Sequence, residues 1–139
     1  IDTKGRVIIP ARFKELIKDG ERSGVMVSKL DDALVAYPFD EWEKVEQKIL
    51  YQTTKDDDLR LFRRFFIGGA FECFCDKQDR ILIPPPLREY ADLNKEIVLV
   101  GVVDHFEIWS RDNWANEDAR YEKNRDKPEV KNIIAGIGL

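Results

Sequence analysis

One phrase is written twice in this chain. Residues 2–10 read DTKGRVIIP and residues 76–84 read DKQDRILIP. At an offset of 74, residues 2–16 (DTKGRVIIPARFKEL) align with residues 76–90 (DKQDRILIPPPLREY). Asp2/Asp76, Arg6/Arg80, Ile9/Ile83, Pro10/Pro84 and Glu15/Glu89 are identical, and Val7/Ile81, Ile8/Leu82, Phe13/Leu87 and Lys14/Arg88 are similar. The match resumes at an offset of 72, where VMVSKLDDALVAYPFDEW (25–42) meets IVLVGVVDHFEIWSRDNW (97–114). Here Asp32/Asp104, Asp40/Asp112 and Trp42/Trp114 are identical, and Tyr37 answers Trp109. The change of offset places a slightly longer loop in the first copy, at KDGERSG (18–24). Any fold for this chain must therefore accommodate two equivalent units.

Each unit reads alike. A polar turn, Asp-x-x-Gly/Asp-Arg, leads into an apolar strand, Val7–Ile9 or Ile81–Ile83. Pro10 or Pro84 then opens a short helix, where a missing N–H is no loss. Phe13, Leu16 and Ile17 share one face of the first helix, and Leu87, Tyr90 and Ala91 share the matching face of the second. Two strands follow in each unit, residues 25–29 with 33–37 and 97–102 with 105–109, with turns at Asp31-Asp32 and Asp104. Helices are expected at DEWEKVEQKIL (40–50), with Asp40 and Glu43 as an N-terminal capping pair, and from Asp112 onwards. A further helix is expected within residues 53–69, with Leu59, Phe62 and Phe66 as a core stripe and Gly68-Gly69 as its end. The second unit carries a strand before its turn, AFECFC (70–75), where the first has only Ile1, so roughly 8–10 residues are expected to precede the chain.

Composition narrows the function. No apolar run approaches the ~18 residues of a membrane span, and no secretory leader is visible. Cys73 and Cys75, two positions apart in a strand, read as reduced thiols of a cytosolic protein. The single histidine, His105, is no evident partner for a metal with them, so neither metal nor cofactor is expected. Catalysis needs converging groups, and the chain has no P-loop, dinucleotide fingerprint or Gly-x-Ser-x-Gly. A non-enzyme without a small-molecule substrate is expected. The net charge is −4, which argues against a strongly basic nucleic-acid binder. Locally the balance differs: residues 1–18 hold five cations (Lys4, Arg6, Arg12, Lys14, Lys18) against Asp2 and Glu15. Residues 76–90 hold three of each sign. An arginine-bearing turn beside a strand fits a DNA groove or a phosphate, although such charges also suit an ordinary solvated surface.

DTKGRVIIPARF, YPFDEWEKVEQKI, DDLRLFRRFFIGGAFEC and RILIPPPLREYADLNKEIVLVGVVDHFEIWSRDNW together resemble the MraZ family of bacterial transcriptional regulators, from residue 1 to about 120. The resemblance implies an α+β fold in which two interleaved SpoVT-AbrB repeats form a swapped-hairpin (double-split) β-barrel with peripheral helices. One copy then cannot close its own core. The implied organisation is repeat 1 over 1–38 with its first strand upstream, connecting helices over 39–68, repeat 2 over 69–112, and a C-terminal helix and tail over 113–139. The implied function is that of a cytoplasmic, nucleoid-associated repressor of the division and cell-wall gene cluster, its own promoter included. It would bind short direct repeats in double-stranded DNA as a ring-shaped homo-oligomer, so that avidity compensates for an acidic monomer. The family's DNA-contacting turn falls on Lys4, Gly5 and Arg6. Arg6 would reach a phosphate or base edge beside Lys4, and Arg12 and Lys14 would be secondary phosphate contacts.

Lys77 and Arg80 occupy the related places in the second turn, which departs from the pattern at Asp79. Aspartate there would repel phosphate or hold Arg80 in a local ion pair, leaving the first turn to bind DNA and the second mainly to complete the fold. The competing reading is a protein-interaction module, a ring scaffold or antitoxin-like relative. It is motivated by the apolar tail NIIAGIGL (132–139), which otherwise reads as a frayed terminus or a strap onto a neighbouring subunit.

Overall fold

In the computed structural model, residues 1–17, 23–52 and 56–139 are described, so most of the KDGERSG loop lies outside the described residues. The first unit contributes β1 (Arg6–Ile8), α1 (Ala11–Lys14), β2 (Gly24–Leu30) and β3 (Ala33–Pro38). Between the units lie α2 (Phe39–Leu50) and α3 (Asp57–Phe66). The second unit contributes β4 (Phe71–Phe74), β5 (Arg80–Leu82), α4 (Pro85–Ala91), β6 (Ile97–Gly101) and β7 (Phe106–Ser110), before α5 (Arg111–Asn124) and α6 (Pro128–Ile137).

The fold is α+β, and its sheets are built across the repeat. β1 pairs antiparallel with β5 in a two-stranded ribbon, Val7 opposite Ile81. The other five strands form an antiparallel sheet in the order β4-β2-β3-β7-β6. At its centre β3 meets β7, Leu34 opposite Ile108 and Ala36 opposite Phe106, so the two hairpins join through equivalent strands. At one edge β4, from the second unit, pairs with β2 of the first. The two units thus interleave. Strand pairing among the described residues leaves two separate sheets rather than a closed barrel.

Alternation in each short strand explains the core. Val7, Ile9, Ile81 and Ile83 point inward and are buried with Phe13, Leu87, Val25, Val27, Leu34, Phe106 and Ile108, drawn from both units. β3 is covered on both faces. Leu34 and Ala36 enter that core, while Val35 joins Trp42 and Phe66 in a second cluster beneath α2 and α3. This accounts for the unbroken apolar run ALVA. The expected aromatic correspondence holds in space: Tyr37 packs on Trp42 at 6.0 Å, and Trp109 packs on Trp114 at 5.6 Å.

Several local expectations change. Pro10 and Pro84 take the N-cap position of α1 and α4 rather than the first helical position. Pro38 likewise caps α2 with no side-chain hydrogen bond, so Asp40 and Glu43 form no capping box there; Asp40 and Glu41 place charge in the first turn instead. The third helix falls within the expected stretch, of which residues 53–55 lie outside the described residues. It is capped by Asp56, which accepts from the Asp58 N–H, and it reaches its C-cap at Ile67, with Gly68-Gly69 following directly as its end, as expected. Of its stripe only Phe66 is buried, and Phe62 is 39% exposed. The tail is helical, α6 ending at a left-handed Gly138.

Ser28 docks α3 onto the sheet: its buried hydroxyl donates to the Phe66 carbonyl at 2.6 Å. Ser28→Ala would leave that buried carbonyl without its partner. A loss of about 1–3 kcal/mol is expected in urea unfolding, the usual cost of an orphaned buried group.

Candidate nucleic-acid interface

The two Asp-x-x-x-Arg turns are built alike, bond for bond. In the first, Gly5 N–H donates to Asp2 O at 3.1 Å and Asp2 N–H donates to Arg6 O at 3.0 Å. In the second, the corresponding bonds from Asp79 to Asp76 and from Asp76 to Arg80 are 3.1 and 2.8 Å. Each aspartate is the clamp. Asp2 Oδ1 accepts from the N–H groups of Lys4 and Arg6, and its Oδ2 takes the Arg6 Nε at 2.6 Å. Asp76 repeats this with Gln78, Arg80 and the Arg80 Nε at 2.9 Å. The Arg6 backbone N–H, first among several donors, holds the Asp2 carboxyl down at about 2. The Arg80 backbone N–H similarly lowers Asp76.

These clamps set a pH prediction. A carboxyl whose folded value lies below its ordinary 3.8 stabilises the fold above that value, and the contribution disappears as pH falls towards about 2. Thermal melts between about pH 2 and 5 should therefore fall more steeply for wild type than for Asp2→Asn, which has no carboxyl to titrate at that position.

Both turns need a left-handed residue at their fourth position. Gly5 has φ +87° and Asp79 has φ +59°. Aspartate is one of the side chains that tolerates this region, so the second turn keeps the frame of the first. The turns then lock onto each other: Ile9 N–H donates to Asp79 O at 2.8 Å and Ile83 N–H to Gly5 O at 2.9 Å. Pairing of β1 with β5 puts Arg6 opposite Leu82 and Ile8 opposite Arg80. The outer face of the ribbon thus carries the two arginines at the ends of one diagonal, with Ile8 (67% exposed) and Leu82 (56%) on the other. Each guanidinium is held through Nε, which leaves its Nη edge as the available donor.

The structure therefore brings Lys4, Gly5, Arg6, Lys77 and Arg80 together on one ribbon. Lys4 and Lys77 are exposed at the two turns. Arg12 and Lys14 belong to α1 rather than to the ribbon. Arg12 stacks over the Phe13 ring at 4.7 Å. Lys14 reaches the other repeat's turn and pairs with Asp79 at 2.6 Å. This corrects the expected Asp79–Arg80 pair: Arg80 is taken by Asp76, and Asp79 is answered by α1 of the first unit. Sequence reasoning gave Arg88 no role. It is the repeat equivalent of Lys14, and its guanidinium lies against Gly5, where a Cβ would sit 2.6 Å from Cζ. The alignment of Lys14 with Arg88 was the available signal.

Nearby thiols are quiet. Burial pushes Cys73 up to about 12 and also raises Cys75. Among the described residues no cluster of three or more His, Cys, Asp or Glu is placed to hold a metal. No helix among them is long and apolar enough to cross a membrane.

An interleaved two-repeat α+β protein with paired arginine turns is the class these features define. The family model described as "MraZ protein, putative antitoxin-like" matches twice, at residues 1–65 and 66–132. The chain belongs to the MraZ family. It is 57% identical over 139 residues to the "Transcriptional regulator MraZ" of Desulforapulum autotrophicum, covering all of this chain and 94% of the relative. Identity is 46% to the protein of the same name from Desulfosudis oleivorans, again over all of this chain and 94% of the relative. The Pelotomaculum thermopropionicum protein of that name is 45% identical, with the same coverage.

Proposed function

We propose that this chain is a sequence-specific DNA-binding transcriptional regulator, not an enzyme, and that the β1–β5 ribbon is its DNA-facing surface. The observation that carries the reading is the clamped pair of arginine turns side by side on one exposed face. The relatives' printed names support the regulatory role. Lys4, Arg6, Lys77 and Arg80 are the primary contacts, reaching phosphates or base edges. Gly5 shapes its turn, Arg12 is a secondary phosphate contact, and Lys14 acts mainly through Asp79. The first turn leads, because its neighbourhood holds Lys4, Arg6 and Arg88 against Asp2 alone. The second sets Lys77, Arg80 and Lys14 against two carboxylates, Asp76 and Asp79.

From the family resemblance, the regulator represses the division and cell-wall gene cluster and its own promoter, in the cytoplasm at the nucleoid. It reads short direct repeats as a ring of subunits. Its repeats span 1–38 and 69–112, with helices over 39–68 and 113–139, and the two sheets are the halves of a double-split barrel. Exposed apolar residues on α3 (Leu61, Phe62, Phe65) and α6 (Ile133, Ile137) support self-assembly. A footprint on the DNA upstream of its own gene, at two salt concentrations, tests the reading. Protected, evenly spaced repeats that fade at the higher salt are expected. An unprotected promoter, with one partner protein recovered stoichiometrically from extract, would favour the interaction module.

A further inference from the structure

The two helices α1 and α4 each send one cation across to the other repeat's turn, but the cations meet different chemistry. Lys14 finds a carboxylate, Asp79, at 2.6 Å. Arg88 finds a glycine. Its Cζ, Nη1 and Nε lie 2.6, 2.7 and 2.8 Å from where a Gly5 Cβ would stand, so the guanidinium fills the space that a side chain would take. Its Nε is buried and has no hydrogen-bond partner. Among the described residues Arg88 has no ion pair. A buried Nε–H left without a partner is unfavourable by itself, while Arg88 as a whole is only half-buried. Three cations, Lys4, Arg6 and Arg88, converge on this turn, and Asp2 is committed to Arg6 and to two backbone N–H groups.

We infer that Arg88 is a phosphate-binding residue of the first turn, so that each DNA-facing site is assembled from both repeats. The inference rests on the function proposed above and deepens it. Gly5 and Asp79 then act as opposite settings of one device: glycine leaves the crossing cation open to a DNA phosphate, and aspartate occupies it. The asymmetry between the turns lies in this helix cation, since the clamped arginines are equivalent.

The test is a set of anisotropy titrations with duplex DNA from upstream of the gene, at several salt concentrations, with thermal melts of every variant. Arg88→Ala should bind roughly 5- to 150-fold more weakly, as for the loss of one charged contact, and its salt slope should fall by about 1. Its melting temperature should hold or rise, because a purely structural arginine would lower it. Gly5→Asp, which rebuilds the Asp79–Lys14 arrangement on the first turn, should weaken binding similarly with the fold intact. Asp79→Gly should strengthen binding and steepen the salt slope by releasing Lys14. Arg88→Ala and Gly5→Asp proteins that bind as wild type, while Arg6→Ala binds weakly, would overturn the role of Arg88 and leave the ribbon's function standing. Wild-type protein that binds no DNA at any salt would overturn both.

Discussion

Replacing Arg6 and Arg80 together by alanine is expected to weaken binding to promoter DNA by about 2–6 kcal/mol, from about 1–3 kcal/mol for each contact. The log–log salt slope should fall by about two. The expectation follows from the clamps. Asp2 and Asp76 hold each Nε and the turn backbone, so both guanidinium groups are ordered before DNA arrives and little side-chain entropy remains to be lost. The double variant should still fold, because both arginines are partly exposed and the core residues Val7 and Ile81 are untouched. Titration by fluorescence anisotropy at several salts reads the effect directly. In a ring, the loss would repeat in every subunit and so be amplified by avidity.

Phe106→Ala is expected to cost about 3–5 kcal/mol of stability, the range for a large aromatic removed from a packed core. Phe106 is fully buried in β7 and stacks on Phe13 of α1 at 5.1 Å, with the rings 4° from parallel. The stack joins the first unit to the second. Gly101, opposite Phe106 in β6, supports it, because a Cβ there would lie 2.7 Å from the Phe13 ring. Losing the stack removes both apolar burial and an aromatic contact between the units. Urea unfolding should show one transition at a lower midpoint, since neither unit keeps a complete core alone. Two separated transitions, one of them unmoved, would mean that the units fold independently.

Local features were legible in the sequence. The repeat alignment located the turns, the strands and the aromatic correspondence of Tyr37–Trp42 with Trp109–Trp114. These depend on residue type and short-range period, which a chain carries openly. The capping of α2 departs from its sequence pattern for a related reason. Asp40 and Glu43 have the spacing of a capping box, but Pro38, fixed in an extended conformation, starts the helix two residues earlier. The contacts that shape the candidate site were hidden because they cross the repeat. Nothing near Asp79 in sequence announces Lys14, and nothing near Gly5 announces Arg88; pairing of β1 with β5 brings them together. The charge of the second turn therefore could not be judged from Asp79 alone.

Hydrogen–deuterium exchange of the full protein, with and without DNA from upstream of its gene, tests the central claim most directly. The account predicts new protection at residues 2–8 and 76–82, the two turns and the ribbon strands they feed. Protection confined to α3, α6 or the β6–β7 hairpin, with both turns exchanging as in the free protein, would contradict it.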